Sequence, residues 1–449
     1  MGHRYVRYTS EPCMNRRDFL SSLSELTLAG CTQRRTATVI PPAPPLSAAL
    51  QLAPIRADIH RIFRITVCLR PFRAAGPRLD VERVADKTVI HNYGHGGSGW
   101  SLSWGSSSIA TEKALSTGER EFAVIGCGAL GLTSATLLQR AGAKVTIYAK
   151  ERPPDVRSSR ATGAFTPDSR IALSSSVSTD FPALWEKMAR KSLQVYASYL
   201  GLPGDPVEWT DRYSLSDAPP EAGAARDDAG ALQFAHYGNC IADVTPRSQE
   251  LTPGTNPFPT RFARRNSGLT FNIAAYSKQL VNDFLIEGGK IEPIEFHSPS
   301  ELAQLPEKVV INATGYGARA LWNDESIISV RGQIAWLIPQ PEVNYGVIYR
   351  DIVVLGRRDG IVVQAHALNE ADGYNDANEN PDRNEAEAAV GVVAELYDRL
   401  QSGDTAAIWP SRKSSVAYTN STSCKDRRFR GRHSREIACP TNTFSGSNA

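Results

Sequence analysis

Apolar positions along this chain follow two rhythms. Compact runs with little alternation occupy Lys87–His91 (KTVIH), Glu121–Ile125 (EFAVI), Lys144–Ala149 (KVTIYA) and the segment KVVINATGYGARALW, which turns at Thr314-Gly315. Such runs read as buried strands. Further strands are expected at RIFRITVCLRPFR, RGQIAWLI, YGVIYRDIVVLG and GIVVQA, the last three as successive antiparallel neighbours. Helical spacing appears in SSSIATEKAL, in the stretch running to Arg140, in residues 181–200, in IAAYSKQLVNDFLIEGG with its closing glycines, and in Asn384–Leu400. Residues 201–270, rich in Pro, Gly and polar side chains, offer only short strand candidates. Beyond Pro410 the periodicity ends.

Two strand-to-helix junctions carry the spacing GxGxxG. The first is Gly94, Gly96 and Gly99 in VIHNYGHGGSGWSLSW; the second is Gly126, Gly128 and Gly131 in EFAVIGCGALGLTSATLLQRAGAKVTIYAKE. The second has the full context of a dinucleotide site: a buried strand before it, a helix after it, and Glu151 twenty residues past Gly131 at the end of the next strand. Its glycines let the backbone turn and approach a pyrophosphate, the helix N-terminus faces the negative charge, and the carboxylate takes ribose hydroxyls. Glu119 stands at the same distance from Gly99 but precedes a strand, so the first loop is not the pyrophosphate cradle. Its turn can instead bring backbone amides and a helix dipole against a flat, electron-rich ring such as a flavin.

Composition changes this picture little. The chain has 449 residues, 41% hydrophobic and 22% charged, enough for two or three domains with a sizeable core. Its net charge of +3 is an average of unlike parts: from Ser411 onward eight Lys and Arg face two acids, so the remainder is about −3 and shows no nucleic-acid footprint. Seven scattered cysteines without CxxC spacing suggest neither zinc nor a disulfide framework. No metal site is expected. MNRRDFLSSLSELTLAGC, with Arg16 and Arg17 and a terminal Cys31, resembles a twin-arginine export signal closed by a lipoprotein box. The expectation is a leader over 1–31 with Met14 as start, a Pro/Ala linker over 32–57, an exported body lipid-anchored at Cys31, and a basic irregular tail over 411–449.

TVIHNYGHGGSG with Trp104-Gly105, together with RPFRAAGPRLD, VINATG and RGQI, resembles the D-amino-acid oxidase family of FAD enzymes over roughly Asp58 to Leu400. The resemblance implies an α/β fold: a Rossmann-like FAD-binding domain (about 84–200 and 272–325) interleaved with a substrate domain on a mixed or antiparallel sheet (about 58–83, 201–271 and 326–400). Family members carry GxGxxG first and the HNYGHGG loop last. Here the order is reversed, which implies circular permutation with Ser116–Arg120 as the joint and the new break between Leu400 and Ile62.

The same resemblance implies oxidation of a D-amino acid by oxygen, with hydride passing from Cα to flavin N5, and it implies the site; the alternatives are a related amine or glycine oxidase, a membrane-linked amino-acid dehydrogenase, and an anchored flavoprotein that only binds ligand. Arg70 would hold the substrate carboxylate in a planar, bidentate fork, with Tyr349, chosen over Tyr345, adding a hydroxyl. The Gly97 backbone and Thr166 would meet the amine. Ser98, Gly99, Trp100 and Ser101 would line the cofactor with Gly97. Ala129, Leu130, Lys150, Glu151, Ser158 and Ser159 would hold adenosine and pyrophosphate beside Gly126, Gly128 and Gly131, with Ile294 near adenine and Thr314 at the strand turn. His91 and His95 would be structural.

Overall fold

A computed structural model describes residues 52–219, 232–252, 255–365 and 369–401. The leader, the Cys31 motif, the linker as far as residue 51 and the basic tail lie outside the described residues. The chain builds two sheets. The first runs in the order β2 (Val81–Val84), β3 (Lys87–His91), β10 (Val309–Asn312), β4 (Glu121–Ile125), β5 (Lys144–Tyr148) and β9 (Lys290–Glu292). All its neighbours are parallel except β2 and β3. β2 thus belongs with the cofactor sheet, although 58–83 was assigned to the substrate domain.

The inner strands of this sheet are apolar throughout because both faces are covered. Helices α1 (Gly99–Leu115), α2 (Ala129–Arg140) and α4 (Ile273–Ile286) share one core with Ile90, Val124, Ile147 and Ile311. Val89, Ala123, Ile125 and Val310 pack on the other side with Phe296, Leu302 and Leu305. α1 begins at Gly99 and so is about two turns longer than SSSIATEKAL. Its first half carries no polar stripe because it is enclosed: Trp100, Leu102, Ser103, Trp104, Ser106 and Ser107 are all buried. Gly105 is the contact with α3 (Phe181–Tyr196), where an added Cβ would lie 2.0 Å from the Met188 carbonyl oxygen.

The second sheet has the order β1 (Ile62–Arg73), β11 (Ile327–Leu337), β14 (Gly360–Gln364), β13 (Ile352–Arg357), β12 (Tyr345–Tyr349), β6 (Val207–Ser216), β8 (Phe262–Phe271) and β7 (Gln249–Leu251). It is antiparallel apart from the β12–β6 pair. YGVIYRDIVVLG is therefore a hairpin, turning at Arg350 with φ of 52°. The region 201–270 holds two ten-residue strands, β6 and β8, in place of short pieces. Their pattern is obscured because paired Asp211 and Ser267 interrupt the apolar face that carries Val207, Trp209, Tyr213 and Leu215, and Arg265 stands on that face as well.

Strand parity decides what each face does. On one face Tyr345, Val347, Tyr349, Val354, Ile361 and Val363 pack under α6 (Arg383–Gln401), against Ala389, Val390, Val393 and Leu396. Burial of each such side chain contributes about 1.5–3 kcal/mol, and a one-residue slip would turn them all to the wrong side. The opposite face turns toward the parallel sheet. Leu52–Ala57, the end of the presumed linker, docks on the α6 side: Ile55 is 2% exposed and the Ala53 carbonyl accepts from the Tyr345 hydroxyl at 2.7 Å.

Candidate active site

Between the two sheets lies a cavity of about 520 Å³, lined by both glycine loops and by the inner face of the large sheet. At the second loop, β4 ends in Gly126 (φ 99°), where a Cβ would stand 2.6 Å from the Ala313 carbonyl oxygen of the neighbouring turn. Gly131 brings α2 down onto that turn: its Cβ would lie 1.9 Å from the Gly126 carbonyl oxygen. Gly128 faces the cavity and caps α2 without a side chain, while the Ala129 amide donates to Ser158 Oγ at 3.2 Å. An uncapped helix start opening on a cavity is suited to a pyrophosphate. Lys150, Glu151 and Ile294 line the same end, with Lys150 paired to Glu295 at 3.1 Å, and Thr314 lines it beside the short helix α5 (Ala318–Leu321).

The first loop closes the other end. Gly94 (φ 88°) and Gly96 (φ 53°) make the turn, and the loop is clamped from both sides. The Gly96 amide donates to the Pro71 carbonyl at 2.8 Å, and the Gly97 amide to the Ser169 carbonyl at 3.0 Å. Trp100 Nε1 donates to the Ser158 carbonyl (2.8 Å), so the start of α1 is tied to the segment after β5. Ser101 Oγ accepts from the Thr166 amide at 2.8 Å.

Arg70 projects from β1 into this cavity. Its guanidinium lies over Gly332, where a Cβ would meet Nη2 at 2.2 Å, and Nη1 donates to the Arg331 carbonyl at 3.0 Å. No carboxylate forms an ion pair with it among the described residues. Burial holds its pKa below the usual arginine value, partly offset by Cys68 and Asp372; the group stays charged at neutral pH. An unpaired, half-buried fork is costly unless a ligand anion completes it.

Of the expected residues, Arg70, Gly97, Gly99, Trp100, Ser101, Gly126, Gly128, Ala129, Leu130, Lys150, Glu151, Ser158, Thr166, Ile294 and Thr314 line the one cavity. Four do not. Gly131 acts through helix packing, Ser98 Oγ is bonded to the Ser169 carbonyl at 3.0 Å, and Ser159 does not line the cavity, its hydroxyl being buried without a partner among the described residues. Tyr349 is the substantive correction: it stands on the α6 face, its hydroxyl accepting from Arg399 (2.8 Å) and donating to Asp217 (3.2 Å). Parity excludes both Tyr349 and Tyr345 from the cavity; Val353 and Gln364 line it from the neighbouring strands.

Sequence reasoning missed Cys68, Arg157, Arg160, Gly163, Arg170 and Gly332, which also line it. Gly332 was visible within RGQI, and Arg157 and Arg160 flank the chosen Ser158; nothing in spacing marked Arg170. Both histidines are structural. His91 bonds Glu82 and Asn312 (2.9 and 3.1 Å), and burial lowers its pKa. His95 donates from Nε2 to Ser106 Oγ (2.7 Å), because that hydroxyl in turn donates to Asn92 Oδ1, and burial lowers its pKa to about 3.

The residues fit a flavin dinucleotide. His95 Nδ1 and Arg157 Nε, both on lining residues, are buried polar atoms without a protein partner among the described residues. The sequence model described as FAD dependent oxidoreductase matches residues 121–429. A D-amino-acid oxidase of Dictyostelium discoideum is 27% identical over 213 residues, 47% of this chain and 55% of that protein. One of Streptomyces coelicolor is 26% identical over 231 residues, 51% and 63% of the two chains. A D-aspartate oxidase of Talaromyces thermophilus is 48% identical over 54 residues, 12% of this chain and 15% of that one. The chain thus spans less than two thirds of the length of these relatives. Iminodiacetate oxidase from Chelativorans sp. BNC1 superposes with a TM-score of 0.44 at 16% identity, covering 62% of this chain and 80% of that one. Glycine cradle, cavity and family match agree: the chain belongs to the FAD-dependent oxidoreductase family, and FAD is its cofactor.

Proposed function

We propose that this protein oxidises D-amino acids to 2-imino acids with oxygen as acceptor, giving hydrogen peroxide; hydrolysis then yields the 2-oxo acid and ammonia. The observation that carries the reading is Arg70, a half-buried guanidinium that lines the cavity and forms no ion pair among the described residues. When bound, FAD supplies the two-electron acceptor for the substrate Cα hydride and passes the electrons to oxygen. Arg70 fixes the carboxylate by its fork, which orients Cα. The Gly97 backbone and Thr166, both lining, would take the amine. Burial lowers the His95 pKa to about 3, so its imidazole is too weak a base to hold a substrate proton near neutrality. The lone pair of the neutral amine therefore drives hydride departure. Names of matched D-amino-acid oxidases support the substrate class.

Anaerobic titration of the FAD-loaded protein with a panel of D- and L-amino acids tests this. Bleaching of the flavin by a D-amino acid and by none of its L-enantiomers is expected; a panel without any bleaching removes the reading.

We also propose that the body is a circular permutation. Two observations support it: the family match begins at Glu121, the first residue of β4, and β3, which delivers the other glycine loop, pairs with β10 beside β4. The two sides of the new break are neighbours, with Ile55 and Tyr397 in one apolar cluster. A gene re-cut to begin at Arg120, with residues 52–115 appended after residue 401 through a short linker, should yield a folded yellow protein. A colourless aggregate from several linker lengths would count against it.

A further inference from the structure

We infer that the substrate is dicarboxylic: a D-amino acid of aspartate or glutamate type whose side-chain carboxylate is held by Arg170. The inference rests on the reading that Arg70 takes the α-carboxylate. Among the described lining residues, Lys150 is paired with Glu295 (3.1 Å), and Arg157 and Arg160 share Glu379 (2.6 and 3.7 Å). Arg70 and Arg170 are the lining guanidiniums that form no ion pair there.

Arg170 is 4% exposed. Its N–H groups go to neutral acceptors: Nε to the Glu370 carbonyl (2.8 Å), Nη2 to the Asn369 carbonyl (3.0 Å) and Nη1 to Ser169 Oγ (3.3 Å). Three of five donors are thereby used, leaving one on each terminal nitrogen. The Glu370 carboxylate is directed elsewhere, to the Arg170 backbone amide (3.3 Å) and to His236 (3.3 Å). Burial, and then repulsion from Arg70, lowers the Arg170 pKa to about 10, against attraction from Glu370, Asp372 and Asp351. Both residues line the same cavity.

The first glycine loop ties the backbone segments that carry them. Gly96 donates to the carbonyl of Pro71, next to Arg70, and a Cβ on Gly96 would lie 1.9 Å from the Arg170 carbonyl oxygen. Arg170 itself sits at φ 50°, a backbone state that side chains rarely adopt and that packing must impose. Two like charges lining one cavity, neither with an ion pair among the described residues, are completed by a ligand with two carboxylates. A substrate with a neutral side chain would leave Arg170 buried without a counter-ion.

The closing experiment compares isosteres. For the FAD-loaded parent, kcat/KM for D-aspartate should exceed that for D-asparagine by about tenfold to a hundredfold, the usual weight of a charge-assisted hydrogen bond. In Arg170→Gln the ratio should fall to about one. Equal or better use of D-asparagine by the parent overturns the inference, even if the variant does not fold, while D-amino-acid oxidation stands. A ratio retained in Arg170→Gln overturns the role of Arg170. Perturbation of the flavin spectrum by succinate and not by succinamate is expected whether or not turnover occurs. If no D-amino acid bleaches the flavin yet succinate binds, the oxidase reading fails and the dicarboxylate site survives; if succinate binds no better than succinamate, the site fails.

Discussion

Arg70→Ala is expected to lower kcat/KM for the best D-amino acid by roughly two to four orders of magnitude, the about 3–5 kcal/mol that follows from stranding one partner of a desolvated ion pair. The carboxylate would otherwise meet a half-buried guanidinium held in place by the Arg331 carbonyl. Arg70→Lys keeps the charge and loses the fork, so a smaller fall, about tenfold to a hundredfold, separates geometry from Coulomb attraction. Flavin content should equal the parent's in both variants, because the contacts of Arg70 are with the β11 backbone and not with the glycine cradle. The reductive half-reaction, followed anaerobically, reads the effect. Equal apparent affinity and reduction rate in Arg70→Ala and parent would make Arg70 a bystander.

The cofactor half of the fold was legible because its determinants are local. Consecutive residues set Gly126, Gly128, Gly131 and the strand before them, and continuous apolar runs mark β3, β4 and β10 as doubly covered. The substrate half depends on partners far apart in the chain. Tyr349 has the residue type wanted for a carboxylate contact, but which face it meets is set by the register of β12 against β6 and β13 and by the apolar stripe of α6. No short window of sequence contains that information. α1 failed differently: a helix buried all round by serine, glycine and tryptophan has no polar side to reveal its period.

Arg170 was invisible for a third reason. In TPDSRIALSSS it looks like an arginine in a polar loop, and only tertiary packing brings it to 4% exposure beside Gly96. The histidines were easier to place: HNYGHGG ends a strand, His95 and Asn92 face a helix that carries Ser106 and Ser107, and His91 is bonded to Glu82 and Asn312. The cost of burying a polar group without a partner makes such serines the natural acceptors.

The second large effect concerns the cradle. Gly128→Val should abolish the yellow chromophore while leaving a folded protein, whereas Gly131→Val should leave little soluble protein at all. The difference follows from what each added side chain meets. At Gly131 the Cβ would lie 1.9 Å from a backbone oxygen of Gly126, and neither the helix nor the turn can yield without losing the contact between β4 and α2. At Gly128 φ is −85°, which a branched residue tolerates, and the nearest atom is Ser158 Oγ at 3.1 Å, on a side chain that can rotate. The valine therefore extends into the cavity at the start of α2, where the pyrophosphate would approach the free amides. Loss of two charge-assisted hydrogen bonds there, each about 1.5–3 kcal/mol, weakens FAD binding by roughly a hundredfold to ten-thousandfold. Visible absorbance and fluorescence titration with FAD read the affinity, and far-ultraviolet circular dichroism confirms the fold. Parent-like flavin content in folded Gly128→Val would place the pyrophosphate elsewhere in the cavity, away from the start of α2.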